Sequence, residues 1–427
     1  MNRQLRWMRL DNAAKIYPAA KRRNWSNIFR LSATLTEEVD REVLQRALNK
    51  TARRFPSMVV RIRRGMFWYY IEELKEPPVV QDEKSHPLSR MPFDDIRKCA
   101  IRVICYKNRI ACEFFHAITD GNGGLIFLKS LTAEYLRLKY GENIPCTDGV
   151  FDVEEDPDPA ELEDSFFKND GPVKAPRKDD DAFQLEGVKE FDGYNNLITG
   201  LIKTDEILKL AKKHGVTLTT FIASVMIASL INIQNRQVPN KRRQKRVKVL
   251  IPINLRKMFD SKTVRNFVLY ITPGIDTRLG EYSFEEILKS VHHQMGLGIT
   301  KQNMAAKIAK NVGIEKVFIV KIMPLFIKNF VIKTVYNLNG ERKSCITISN
   351  LGNVSAPDEW RKYVSRLDFV LGAPSENPNN CGVLSYGENL YINITRTIKD
   401  AELEREFFCY LRKLGLNVKI ESNRRDR

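Results

Sequence analysis

The 427-residue chain lacks a cysteine framework: its seven cysteines are an odd number, scattered, with no CxxC pair and no Cys/His set at zinc-ligand spacing. That excludes a disulfide scaffold and a structural zinc site and points to a reducing compartment. At this length a hydrophobic core suffices without either staple, and two domains or one two-lobed unit are expected. The opening segment MNRQLRWMRLDNAAKIYP carries charge but no apolar h-region, so no signal peptide is read and a cytoplasmic location is expected. Long apolar runs are also scarce. The stretch TLTTFIASVMIASLINIQ has no charge over eighteen residues but is rich in Ser, Thr and Asn, which suits a buried helix better than a membrane crossing.

Positive charge is in excess: 70 Lys and Arg against 52 Asp and Glu leave a net charge of +18. Such a surplus favours phosphorylated cofactors, acidic proteins, an anionic membrane face or nucleic acid. The run Lys241-Arg242-Arg243-Gln244-Lys245-Arg246 contains no aromatic residue to stack on bases, so it reads as a solvated loop, and no specific nucleic-acid partner is expected.

Both halves mix strands, helices and hairpins, which indicates an α+β fold rather than a doubly wound parallel sheet. Thr36 is the expected cap of a helix whose first turn carries Glu37 and Glu38 and which ends near Pro56. SMVVRIR and MFWYYIE face each other across Arg64-Gly65, as do CAIRVICY and IACEFF across Lys107-Asn108, and a helix is expected from about Leu125 to Tyr140. Residues 148–190 are acidic and poor in aliphatics, and read as a solvated linker between an N-terminal lobe, residues 1–147, and a C-terminal lobe, residues 191–427. The second lobe offers strands NLITGLIK, VKVLIPI, FVLYITP and SCITISN, and a GVLSY/LYINITR hairpin at Gly387-Glu388.

One segment concentrates chemistry, FFHAITDGNGG from Phe114 to Gly124. Strand alternation puts Cys112, Phe114 and His116 on one face, so His116 projects where the strand yields to a Gly-rich turn. Imidazole titrates near neutrality and can take a proton and return it. Asp120 follows across the turn, where Gly121, Gly123 and Gly124 permit tight backbone geometry. Alone, this pattern does not separate a catalytic histidine from a structural one.

Lengthened to FFHAITDGNGGLIFLKSLTAEYL, the segment resembles the active-site segment of the HxxxDG acyltransferases. That superfamily includes chloramphenicol acetyltransferase, the condensation domains of peptide synthetases, wax-ester synthases and, nearest here, bacterial alcohol acetyltransferase-like proteins. LDNAAKIYP, IPINLRKMFDSKTVRNF, and ITISNLGNV with NCGVLSYGENLYINITR are similar to it in the same order, over nearly the whole chain outside the acidic stretch. The resemblance implies two chloramphenicol-acetyltransferase-like lobes enclosing a substrate tunnel, with no bound cofactor and no metal. It implies an acyl thioester as donor, acyl-coenzyme A or a phosphopantetheinyl acyl carrier protein, and a small-molecule or lipid alcohol or amine as acceptor. His116 is then the general base. Asp120, beside Gly121, is structural and pairs with an arginine, for which Arg256 in INLRK is the candidate. Two departures narrow the branch: Phe115 stands where condensation domains usually carry a second histidine, and Asp368-Phe369-Val370-Leu371-Gly372 replaces the plant branch's DFGWG. A monomer is expected. The alternative is a catalytically silent relative that binds a carrier protein or lipid.

Other features have two readings each. Ser349 and Asn350 read as oxyanion donors or as a strand end before a turn, and Asn266 as a residue ordering the tunnel or as a surface turn. Cys112 lies ~13 Å along the strand from His116, too far for a dyad. His292 and His293 diverge on a helix with no carboxylate or thiol to complete a ligand set. Residues 317–335, VFIVKIMPLFIKNFVIKTV, read as a core helix kinked at Pro324 with its lysines snorkelling outward; a peripheral contact with lipid or an anionic membrane is the second reading.

Overall fold

Strands Ile101–Tyr106 and Arg109–Phe115 pair antiparallel around Lys107, whose φ of 50° closes the two-residue turn. Ile28–Leu35 pairs with the other side of Arg109–Phe115, and Val364–Leu371 with Ile28–Leu35, while Gln81–Asp82 forms the far edge of this five-stranded sheet. The computed structural model describes residues 5–20, 27–83, 86–172, 180–191, 194–339, 341–372 and 377–424. The central strand is buried on both faces. Phe114 meets Phe127 of helix Gly121–Tyr140, which itself packs on helix Arg41–Arg54. On the opposite face the buried Glu113 lies between Arg30 and Arg102 and accepts the Leu88 N–H at 2.7 Å. Two guanidiniums and a backbone donor meet its charge, the condition for burying a carboxylate. Helix Arg41–Arg54 is capped by Asp40, which accepts from the N–H groups of Glu42 and Val43. Thr36, the expected cap, instead gives its N–H to Tyr363 O at 2.8 Å.

The second sheet runs Val268–Ile271, Val247–Asn254, Ile346–Asn353, Asn379–Tyr386, Asn389–Arg396, Asn196–Lys203 and Lys419–Ser422, with Gly274–Ile275 also paired to Val247–Asn254. Ile346–Asn353 is parallel to both neighbours. Helix Leu218–Gln237, capped by Thr217, packs against Val247–Asn254, Phe284–Gly298 and Glu402–Lys413. By length and composition it could cross a membrane, but 72% of its most apolar window is buried within the protein. The lack of charge before Arg236 reflects a helix enclosed on nearly every side.

The contiguous lobes expected from composition do not hold. Val364–Leu371 lies in sequence between two strands of the second sheet, yet it forms an edge of the first. The described part of 148–190 is a strap rather than a solvated linker: Val150, Val153, Phe166, Phe183 and Leu185 are buried, and Glu161 pairs with Arg54 through contacts of 2.5 and 2.8 Å. Composition registers the acids but not the bases that wait for them.

A small sheet of Trp7–Arg9, Tyr69–Glu73 and Val60–Arg64 flanks the first lobe and carries Met66 and Phe67 at its hairpin tip. Residues 317–335 are divided at Pro324 between helices Phe318–Ile322 and Leu325–Asn339. Lys321 and Lys333 face outward as expected, but the core-helix reading is corrected at the other positions: Lys328 is buried, while Phe326 and Phe330 are exposed.

Candidate active site

His116 directly follows the central strand Arg109–Phe115, and its N–H is fixed on Asn27 O at 2.8 Å. The half-buried ring stacks on Tyr17, with centroids 4.6 Å apart, and meets the edge of Phe29 at 5.1 Å. Its Nδ1 lies 3.2 Å from Asn266 Oδ1. With the Asn266 oxygen as acceptor, this contact suits the tautomer protonated on Nδ1, in which Nε2 is the basic nitrogen. Burial lowers the His116 pKa from its ordinary value. Its own backbone, the Asp120 charge, Asn266 and the Thr119 backbone oppose that shift without reversing it. The imidazole is therefore neutral at neutral pH.

Asp120 turns away from this chemistry. It caps helix Gly121–Tyr140, its Oδ1 accepting the N–H groups of Asn122 and Gly123 at 3.1 Å each. Oδ2 accepts the Phe267 N–H at 2.9 Å and lies 2.9 Å from Arg256 Nη2. The Arg256 guanidinium also donates to Thr263 O and Arg265 O, both at 2.6 Å, and to Asn254 Oδ1 at 3.1 Å. Residues 263–267 are thus tied to the helix start by one buried ion pair and several backbone hydrogen bonds. Gly123 belongs to the same junction, because a methyl there would lie 2.1 Å from Val264 O and 2.3 Å from Thr119 Oγ1. Gly123→Ala should lower stability by about 1–3 kcal/mol, read as an earlier denaturant midpoint; an unchanged midpoint would show the junction to be loose.

The structure adds two residues that the sequence reading did not single out. Tyr17 supplies the stacking face for His116. Asp11 is buried, lies 2.7 Å from Arg265 Nη2 and accepts the Asn266 N–H through Oδ2 at 3.1 Å. Burial pushes its carboxyl up to about 7 against the pull of Arg265. Asp11 thereby holds Asn266, which holds His116. Both residues lie in LDNAAKIYP, so that stretch was marked, but not which of its side chains turns inward. Asn266 is not a surface turn: it is buried.

Of the proposed oxyanion donors, Asn350 is committed elsewhere, donating to Thr219 Oγ1 at 3.0 Å and accepting the Gly352 N–H at 2.8 Å. Ser349 is half-buried on the same strand, and its hydroxyl has no hydrogen bond to a described residue. That strand reaches the helix start, for a methyl on Gly121 would lie 2.9 Å from Leu351 Cδ2. Burial raises the Cys112 thiol far above its ordinary pKa, which rules out a thiolate nucleophile. His292 and His293 stand 5.7 Å apart, and no group of three or more metal-ligating side chains occurs among the described residues.

No family model matches the chain, and no curated protein does. Solved structures match over nearly its full length. The first condensation domain of the CDA synthetase is 14% identical, with 96% of this chain and 95% of that one covered at a TM-score of 0.59. TRI3 trichothecene 15-O-acetyltransferase from Fusarium sporotrichioides is 11% identical, with 96% and 94% covered at 0.60. F. sporotrichioides TRI101, solved with coenzyme A and T-2, is 9% identical, with 98% and 100% covered at 0.58. At such identities the likeness establishes the fold: two sheet-rich lobes of mixed α and β structure, as in condensation domains and trichothecene acetyltransferases.

Proposed function

We propose that this protein is an acyltransferase that moves an acyl group from a thioester, acyl-coenzyme A or a carrier-bound phosphopantetheine, to an alcohol or amine. The observation that carries the reading is His116, neutral and half-buried, with Nδ1 engaged by Asn266 and Nε2 left as base. One structure of the same fold is a trichothecene 15-O-acetyltransferase and another was solved with coenzyme A, which supports the donor class. His116 Nε2 takes the acceptor's proton as its oxygen or nitrogen attacks the thioester carbonyl. Collapse of the tetrahedral adduct breaks the C–S bond, and His116 returns the proton to the departing thiolate. No acyl-enzyme is required, because a thioester is already reactive and positioning supplies much of the rest. Asp120 takes no part in proton transfer, its oxygens being engaged by three backbone N–H groups and Arg256. Ser349, whose hydroxyl has no described partner, is the candidate donor to the developing oxyanion.

Incubation with a panel of acyl-thioesters and cell metabolites, followed by mass spectrometry, tests this directly. Acylated product together with free thiol is the expected outcome. Binding of a carrier protein without turnover would favour the silent module instead.

The pH profile follows from the sign of the His116 shift. Protonation removes the base, so kcat/KM should fall as pH drops through a value below the ordinary imidazole pKa of about 6.5. The folded protein binds fewer protons here than the unfolded chain, so His116 also makes stability decline as pH falls from the unfolded value through the folded one. An acid limb centred above 6.5 would contradict a lowered pKa.

A further inference from the structure

Helices Phe318–Ile322 and Leu325–Asn339 present the wrong side to water for a soluble protein. Phe318 is 71% exposed, Phe326 74% and Phe330 73%, with Ile322, Ile327 and Val331 exposed beside them. The inward side carries Leu325 and Lys328. Lys328 Nζ lies 3.4 Å from the Trp68 ring centre and donates to Phe67 O at 2.9 Å, while Leu325 N–H donates to Met66 O at 2.9 Å. These bonds place the hairpin tip, with Met66 and Phe67 exposed, against the same helix, so the outward aromatics and the tip form one apolar surface.

The charge that the two helices themselves present has a single sign, and the neighbouring Glu315 is paired with Lys15. No acidic residue occurs from Lys316 to Gly340, Lys321 and Lys333 are exposed, and Arg64 is exposed at the base of the tip. Neither lysine forms an ion pair among the described residues. An apolar, aromatic-rich face rimmed by unpaired lysines matches the acyl boundary and headgroups of a membrane that bears negative charge. We infer that these two helices and the hairpin tip dock on an anionic membrane surface. Leu325–Asn339 also packs on helix Ile16–Ala20, which carries Tyr17, so docking brings the bilayer within one helix of His116.

The inference is tested without any acyl-transfer assay, by co-sedimentation of the full chain with vesicles of phosphatidylcholine alone or with one third phosphatidylglycerol. Wild type is expected to pellet with the anionic vesicles and to be released by salt. F326S/F330S, which alters exposed positions only, should lower partitioning at least about tenfold. K321E/K333E should abolish the preference for phosphatidylglycerol, while R242E/R243E, on the distant-in-sequence basic run, should leave it in place. Circular dichroism verifies that each variant folds. The inference is overturned if wild type pellets with neither vesicle, or if F326S/F330S binds as wild type does. It is also overturned if R242E/R243E loses as much binding as K321E/K333E, or if wild type forms a dimer that F326S/F330S dissociates, because a second copy would then cover this face.

Discussion

His116→Ala should reduce acyl transfer by ~10²–10⁴-fold, the contribution of a positioned general base, while the protein remains folded. The ring contributes an aromatic stack on Tyr17 and one hydrogen bond to Asn266, but it is only half-buried and its backbone N–H bond to Asn27 survives the substitution. The loss should therefore fall on turnover, with the melting transition nearly unmoved. Product formation by the variant at the wild-type rate, coupled to thiol release, would remove His116 from the mechanism. Asn266→Ala serves as a companion. It frees the imidazole to rotate and exchange tautomers, so it should lower kcat and move the acid limb of the pH profile, which a purely structural residue would not do.

Breaking the Asp120–Arg256 pair should have its largest effect on stability. Asp120 is 2% and Arg256 9% exposed, so removing one partner leaves a desolvated charge and can cost ~3–5 kcal/mol. Asp120→Asn separates the two roles of the residue. The amide oxygen can still cap Asn122 and Gly123, but the charge that faces Arg256 is gone. Asp120→Ala should be worse by about 1 kcal/mol for the lost cap. In a double-mutant cycle the combined Asp120→Ala, Arg256→Ala protein should be far less destabilised than the sum of the single changes, because no charge is left unmet. Additive losses would mean that the two side chains act independently.

The short-range structure was written in the sequence. The hairpins across Lys107-Asn108 and Gly387-Glu388, the apolar helix Leu218–Gln237 and the placement of His116 at a strand end all follow from periodicity, turn residues and alternation within single elements. Arg256 was legible only through the resemblance; nothing in INLRK says that its guanidinium reaches back 136 positions to Asp120. Ile28–Leu35 and Val364–Leu371 were not read as strands, although they are adjacent in the first sheet with Phe29 opposite Leu371. A strand is stabilised by its cross-strand and same-face neighbours, and when these lie hundreds of residues away a local pattern carries little of that information. Glu161 and Lys328 illustrate the same limit for charge. An acid in an acidic stretch reads as solvated until Arg54 is seen to bury it, and a lysine among phenylalanines reads as the outward residue until a hairpin 261 positions away offers it Phe67 O and the face of Trp68. The sequence by itself determined which residue types are available for chemistry and, through local pattern, several of the hairpins and helices. Tertiary structure decided which side of each segment is inside, because burial is favourable only where a partner from elsewhere in the chain meets the group being buried.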